Sequence, residues 1–156
     1  HKTGEIIPDK LVDKMVAAKN VNAGVNTLQQ IFYGVYDFTL HDGFDPYGEL
    51  NTTDMAEILQ NELTLYPYLD GTHMQASFGH LVGYDASYYS YLWSKVYAQD
   101  MYMEFKRNGL LDKNTGMRFR SIILEPGGTV HPQILMQEFL GRKPNIQAYL
   151  SSLGIQ

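Results

Sequence analysis

Four side chains within a dozen residues set the chemistry this chain is suited to. His80, Tyr84, Tyr88 and Tyr91 fall in the stretch Phe78-Gly79-His80-Leu81-Val82-Gly83-Tyr84-Asp85-Ala86-Ser87-Tyr88-Tyr89-Ser90-Tyr91-Leu92-Trp93. The three tyrosines are spaced i, i+4, i+7, which predicts a shared face if the segment is helical. A neutral phenol is a hydrogen-bond donor at neutral pH, and an imidazole is a donor or an acceptor. Convergent donors of this kind stabilise an oxyanion forming on a carbonyl. Gly79 and Gly83 flank His80, so backbone there can bend sharply or approach a peptide closely. Tyr89, Tyr97 and Tyr102 fall elsewhere around the helix and read as packing residues.

The positioning elements follow from periodicity. Leu11, Val12, Met15 and Val16 repeat at helical spacing after Pro8. Leu28, Ile31, Phe32, Val35 and Phe38 predict a second helix, ending near Leu40. His41 to Gly48 is a loop dense in glycine, proline and aspartate. Asp54 and Glu57 have capping-box spacing ahead of Ile58, Leu59 and Leu63. Residues 72–83 show no helical period and are expected to be extended or coiled past a cleft. Asp85 is placed to cap a long helix from Ala86 to Lys106, stopped at Asn108-Gly109. Asn114 or Thr115 starts a further helix to Leu124, Pro126-Gly127-Gly128 forces a turn, Pro132 opens a helix that Gly141 closes, and a last short helix ends at Gly154. No strand pair, repeat or low-complexity tract is visible. The fold class expected is all-α.

Composition sets bounds. The chain has 156 residues, 44% hydrophobic and 19% charged, which is ordinary for a globular protein. A net charge of −5 argues against nucleic acid as a partner. There are no cysteines, so disulfides and thiol catalysis are excluded, in keeping with a reducing compartment. No apolar run approaches the ~18 residues of a spanning helix, so no membrane partner is expected. No signal peptide is visible, and nothing resembles a phosphate-binding loop.

The 78–93 string resembles the histidine-tyrosine segment of the thimet oligopeptidase, neurolysin and mitochondrial intermediate peptidase family of zinc metallopeptidases. Three more strings resemble the family in order and spacing. They are His1-Lys2-Thr3-Gly4-Glu5-Ile6-Ile7-Pro8, the run from Met117 to Gly128, and Phe139-Leu140-Gly141-Arg142-Lys143-Pro144. Val82-Gly83 stands where thimet oligopeptidase-like members usually have two glycines, a turn closer to mitochondrial intermediate peptidase.

The resemblance implies that residues 1–156 are a single segment, the C-terminal part of a metallopeptidase catalytic domain, acting on short peptides with the remainder of the parent enzyme. Tyr91 is implied to hydrogen-bond the oxyanion opposite a zinc ion, with Tyr84 facing the same peptide. His80 and Tyr88 are implied to hold substrate or the tetrahedral intermediate. The family's HExxH zinc motif is absent, and no two of His1, His41, His73, His80 and His131 are three or four residues apart. The zinc is therefore expected in the parent, with none bound by this chain alone. A cytoplasmic location is expected, with the mitochondrial matrix as the alternative. The rival reading is a non-catalytic α-helical module binding peptides or a partner on its tyrosine face.

Asp37, His41, Asp42 and Asp45 read as a solvated helix end and loop. Arg118 and Arg120 read as helix-end ion pairs.

Overall fold

The computed structural model describes residues 3–155, so His1 and Lys2, which begin the first family-like string, lie outside the described residues. Among the described residues the secondary structure is helical, with no strand, as the all-α reading expects. Seven α-helices are present among the described residues: α1 Asp9–Ala18, α2 Ala23–His41, α3 Thr52–Leu63, α4 Ser90–Asn108, α5 Lys113–Phe119, α6 Pro132–Leu140 and α7 Gln147–Ser152. The chain divides into two compact units, residues 1–86 and 87–156.

In the first unit α2 packs against α3. Phe32, Tyr36 and Ala56 are the buried centre, with Tyr33, Leu40, Leu59, Leu63, Met74, Phe78 and Leu81 packed around them. The α2 face differs from the expected one. Phe38 is exposed and Tyr36 is fully buried, because the face that meets α3 runs through Phe32, Tyr36 and Leu40, one turn apart. The Tyr36 hydroxyl donates to the Thr52 carbonyl at 2.9 Å. Burial pushes this phenol up to about 12, the hydrogen bond to Thr52 acting in the opposite direction.

The start of α3 also lies a turn earlier than the sequence suggested. Asn51 is the N-cap, its side chain accepting from the Thr53 and Asp54 N–H groups, and Asp54 reaches back to the Asn51 N–H at 3.0 Å. Asp54 thus closes the capping box rather than opening it.

By contrast, α1 buries nothing. Leu11, Val12, Met15 and Val16 recur at the expected helical spacing, yet all four are exposed.

The second unit is built on aromatic packing. Phe139 is fully buried, with the rings of Phe105 and Phe119 centred 6.2 and 5.7 Å away. Met136 and Leu140 complete the buried cluster, and Tyr97 and Met101 of α4 pack against it. Pro132 sits in the first turn of α6, and Gly141 ends that helix at φ 68°, a left-handed cap that glycine adopts without a Cβ clash. After α5, residues Arg120–Leu124 widen into a π-turn, with the Glu125 N–H bonding the Arg120 carbonyl at 2.9 Å.

Both arginines of this region find partners of different kinds. Arg120 pairs with Glu125 at 3.1 Å as expected. Arg118 instead donates to the Phe139 carbonyl and lies over the Phe139 ring, 5.3 Å from its centre. It caps the end of α6 and packs on the core at once.

Candidate functional site

The tyrosine segment is less regular than its spacing suggests. Gly79–Leu81 forms one 3₁₀ turn, residues 82–89 run through turns, and α4 begins only at Ser90 with Tyr89 at its cap position. The expectation that Tyr84, Tyr88 and Tyr91 share one helical face is therefore corrected: only Tyr91 lies within α4. The reason is local backbone. Gly83 has φ 87° and Ala86 has φ 54°, and a right-handed helix cannot pass through residues in that region. Asp85 consequently lies too far upstream to cap α4.

The six candidate residues fall into two groups. In the first unit, His80 and Tyr84 bring their ring centres to 6.1 Å, edge to face. With Gly79 and Gly83 they line an open cleft of about 540 Å³, whose remaining wall includes Tyr33, Met74 and Phe78. Phe78 bridges the cleft to the core, its ring 5.0 Å from Tyr33 and 5.5 Å from His80. In the second unit, Tyr88 and Tyr91 pack edge to face at 5.1 Å. Tyr88 is buried at 9% exposure, whereas Tyr84 and Tyr91 keep 40% and 44%. Tyr88 is thus placed to support the neighbouring ring, while Tyr84 and Tyr91 present phenol surface to solvent.

The packing residues also sort differently from expectation. Tyr97 packs against the Phe139 cluster, its ring 5.7 Å from Trp93. Tyr89 and Tyr102 are about half exposed. The wall residues Tyr33, Met74 and Phe78 were not legible as site residues. Tyr33 sits on a helix read for its core face, and Met74 and Phe78 lie in a tract without periodicity.

Asp37 is fully buried, not part of a solvated helix end as the sequence suggested. Its Oδ1 accepts the Ala86 N–H at 3.1 Å, and His41 Nδ1 lies 3.2 Å from that oxygen and 2.7 Å from the Asp37 carbonyl. Among the described residues no three of the types His, Cys, Asp and Glu gather in a group able to hold a metal ion. No helix among them is long and apolar enough to cross a membrane.

The family model described as Peptidase family M3 matches residues 1–155. A thimet-like oligopeptidase of Dictyostelium discoideum is 37% identical over 96% of this chain and 22% of its own length. Oligopeptidase A of Salmonella typhimurium is 36% identical over 100% of this chain and 23% of its own. Saccharolysin of Saccharomyces cerevisiae is 37% identical over 100% of this chain and 22% of its own. The chain therefore spans less than a quarter of the length of these relatives. With the family model covering nearly every residue, the chain belongs to Peptidase family M3.

Proposed function

We propose that this chain is the C-terminal part of the catalytic domain of an oligopeptidase that hydrolyses short peptides, and that it supplies oxyanion donors and one wall of the substrate channel. The observation that carries the reading is the pair of half-exposed phenols, Tyr84 and Tyr91, in the segment whose residues follow the family pattern. Tyr91 donates to the carbonyl oxygen as negative charge develops on it. Tyr84 donates from the glycine-flanked turn, where His80 lies edge-on to its ring. His80, Gly79 and Gly83 hold the peptide along the cleft, and Tyr88 supports Tyr91 from below.

The peptidases of this family are zinc enzymes, and among the described residues of this chain no ligand group gathers that would hold the metal. On this reading the zinc and the general base belong to the remainder of the parent, and the chain's own contribution is hydrogen bonding and shape. The bare apolar stripe of α1 supports the same division, since Leu11, Val12, Met15 and Val16 form a face that further chain of the parent would cover.

Steady-state kinetics of the parent enzyme test the roles. Tyr91→Phe keeps the ring and removes the donor, so turnover falls about 10²- to 10³-fold, with little change in ground-state binding. Tyr84→Phe follows in the same direction with a smaller loss. Tyr97→Phe, whose ring packs on the Phe139 cluster, changes little. Unchanged turnover in Tyr91→Phe with impairment in Tyr97→Phe overturns the assignment.

A further inference from the structure

The turn that presents Tyr84 is held by a side chain far from it in sequence. Ala86 adopts φ 54°, a left-handed conformation in which an alanine Cβ crowds the following carbonyl. Such residues persist only where the surroundings over-determine them. Here the holding group is Asp37, on α2, whose carboxylate accepts the Ala86 N–H at 3.1 Å across 49 residues of sequence. The acceptor oxygen is fully buried, so its hydrogen bond does not compete with water. His41, one turn along the same helix, lies beside it, with Nδ1 3.2 Å from the same oxygen and 2.7 Å from the Asp37 carbonyl.

Tyr84 lies two residues before the clamped alanine, between Gly83 at φ 87° and Ala86 at φ 54°. Fixing Ala86 therefore fixes the direction from which the Tyr84 ring enters the cleft beside His80.

We propose that Asp37 is a positioning residue for Tyr84: it touches no substrate and acts by locking the left-handed turn at Ala86. This rests on the reading of Tyr84 as a phenol that faces the scissile peptide.

The inference is tested in the intact parent peptidase with a short quenched fluorescent peptide. Asp37→Ala lowers kcat about 10- to 100-fold with KM changed far less, because a small misplacement of a donor is felt in the transition state. Asp37→Asn keeps an acceptor oxygen and recovers most of the turnover. Ala86→Gly, placed on the Asp37→Ala background, recovers part of it, since glycine adopts the turn without the clash. Ala86→Val reproduces the Asp37→Ala loss without opening the core, and so covers the case in which Asp37→Ala fails to fold. In a Tyr84→Phe background the Asp37→Ala loss shrinks to a few-fold. Amide exchange at Ala86 reads the clamp independently of activity: the Ala86 N–H is protected in the wild type and exposed in Asp37→Ala.

The outcomes separate. If Tyr84→Phe retains full turnover, the reading of Tyr84 fails, whatever the amide at Ala86 does. If Tyr84→Phe is impaired but the Asp37→Ala loss is the same with and without the Tyr84 hydroxyl, or if Asp37→Ala and Ala86→Val both keep wild-type kcat, the positioning role is overturned.

Discussion

Each unit carries one aspartate withdrawn from solvent, and the two are used differently. Asp37 accepts the N–H of Ala86, and Asp100 accepts the N–H of Asn145 at 2.9 Å, each spanning more than forty residues of chain. Asp100, however, also meets the guanidinium of Arg142 on both oxygens, with Nη1 2.9 Å from Oδ2. Burial pushes its carboxyl up, but the Arg142 and Asn145 hydrogen bonds and the Arg142 charge outweigh that and hold it below the usual carboxylate range. Asp37 has an imidazole and a strained turn beside it instead. A planar cation that matches a carboxylate bidentately makes a fixed structural joint. The carboxylate facing a left-handed alanine holds irregular backbone beside exposed phenols. The contrast separates two of the family-like strings. The Arg142 string closes α6 and ties the following loop to α4, whereas the string from Phe78 to Trp93 keeps Tyr84 and Tyr91 partly exposed.

The largest expected effect is in the aromatic core. Phe139→Ala removes a fully buried ring between Phe105 and Phe119 and costs about 3–5 kcal/mol of stability, read as a lowered denaturant midpoint.

Next comes the Asp100 joint. Asp100→Ala strands Arg142 and frees the Asn145 N–H, at a cost of about 2–3 kcal/mol, below the range for fully buried pairs because Arg142 is partly in water. Hydrogen exchange across residues 142–152 quickens in this variant, while the Ala86 amide stays protected. Quickening at Ala86 instead contradicts the separation of the two joints.

Acid sharpens the point. A carboxylate held low in the folded state binds fewer protons there than in the unfolded state. Its stabilisation is present above the ordinary carboxylate pKa and lost as pH falls through the lowered folded value. The 142–152 region therefore loses protection in the acid range, and Asp100→Asn abolishes that part of the pH dependence.

In the first unit, Tyr36→Phe removes the bond to the Thr52 carbonyl and costs about 1 kcal/mol. The wild-type phenol, held protonated by burial, contributes stability that is complete below pH 10.0 and lost as pH rises towards about 12, and the variant lacks this alkaline loss. The smallest effect is at Arg120, where the pair with Glu125 is more than half exposed on both sides. Arg120→Ala changes stability by less than about 0.5 kcal/mol.

What the sequence revealed tracks how local the cause is. Helix existence was legible throughout, because apolar spacing and terminal signals such as Pro132 and Gly141 act within one or two turns. The start of α4 was not, because the left-handed turn at Ala86 is held by a carboxylate 49 residues away, and an alanine gives no warning of positive φ. The α2 face was misjudged because periodicity finds a stripe without saying which neighbour it meets. Tyr36 lies off the expected stripe and Asp37 reads as part of a solvated helix end, yet both are fully buried with partners on other segments. Of the site, the residue types and their glycine neighbours were legible. The division between buried Tyr88 and exposed Tyr84 and Tyr91, and the cleft wall of Tyr33, Met74 and Phe78, depended on packing.

The central claim is that the Tyr91 hydroxyl binds the transition state and not the ground state. It is tested most directly in the parent enzyme by comparing wild type and Tyr91→Phe for two quantities: the Kd of a tetrahedral transition-state analogue of a short peptide, and kcat/KM for the matching peptide. The account predicts that both worsen by the same factor, about 10²- to 10³-fold, while KM barely moves. Analogue affinity left at the wild-type value, or a loss shared equally by KM, contradicts it.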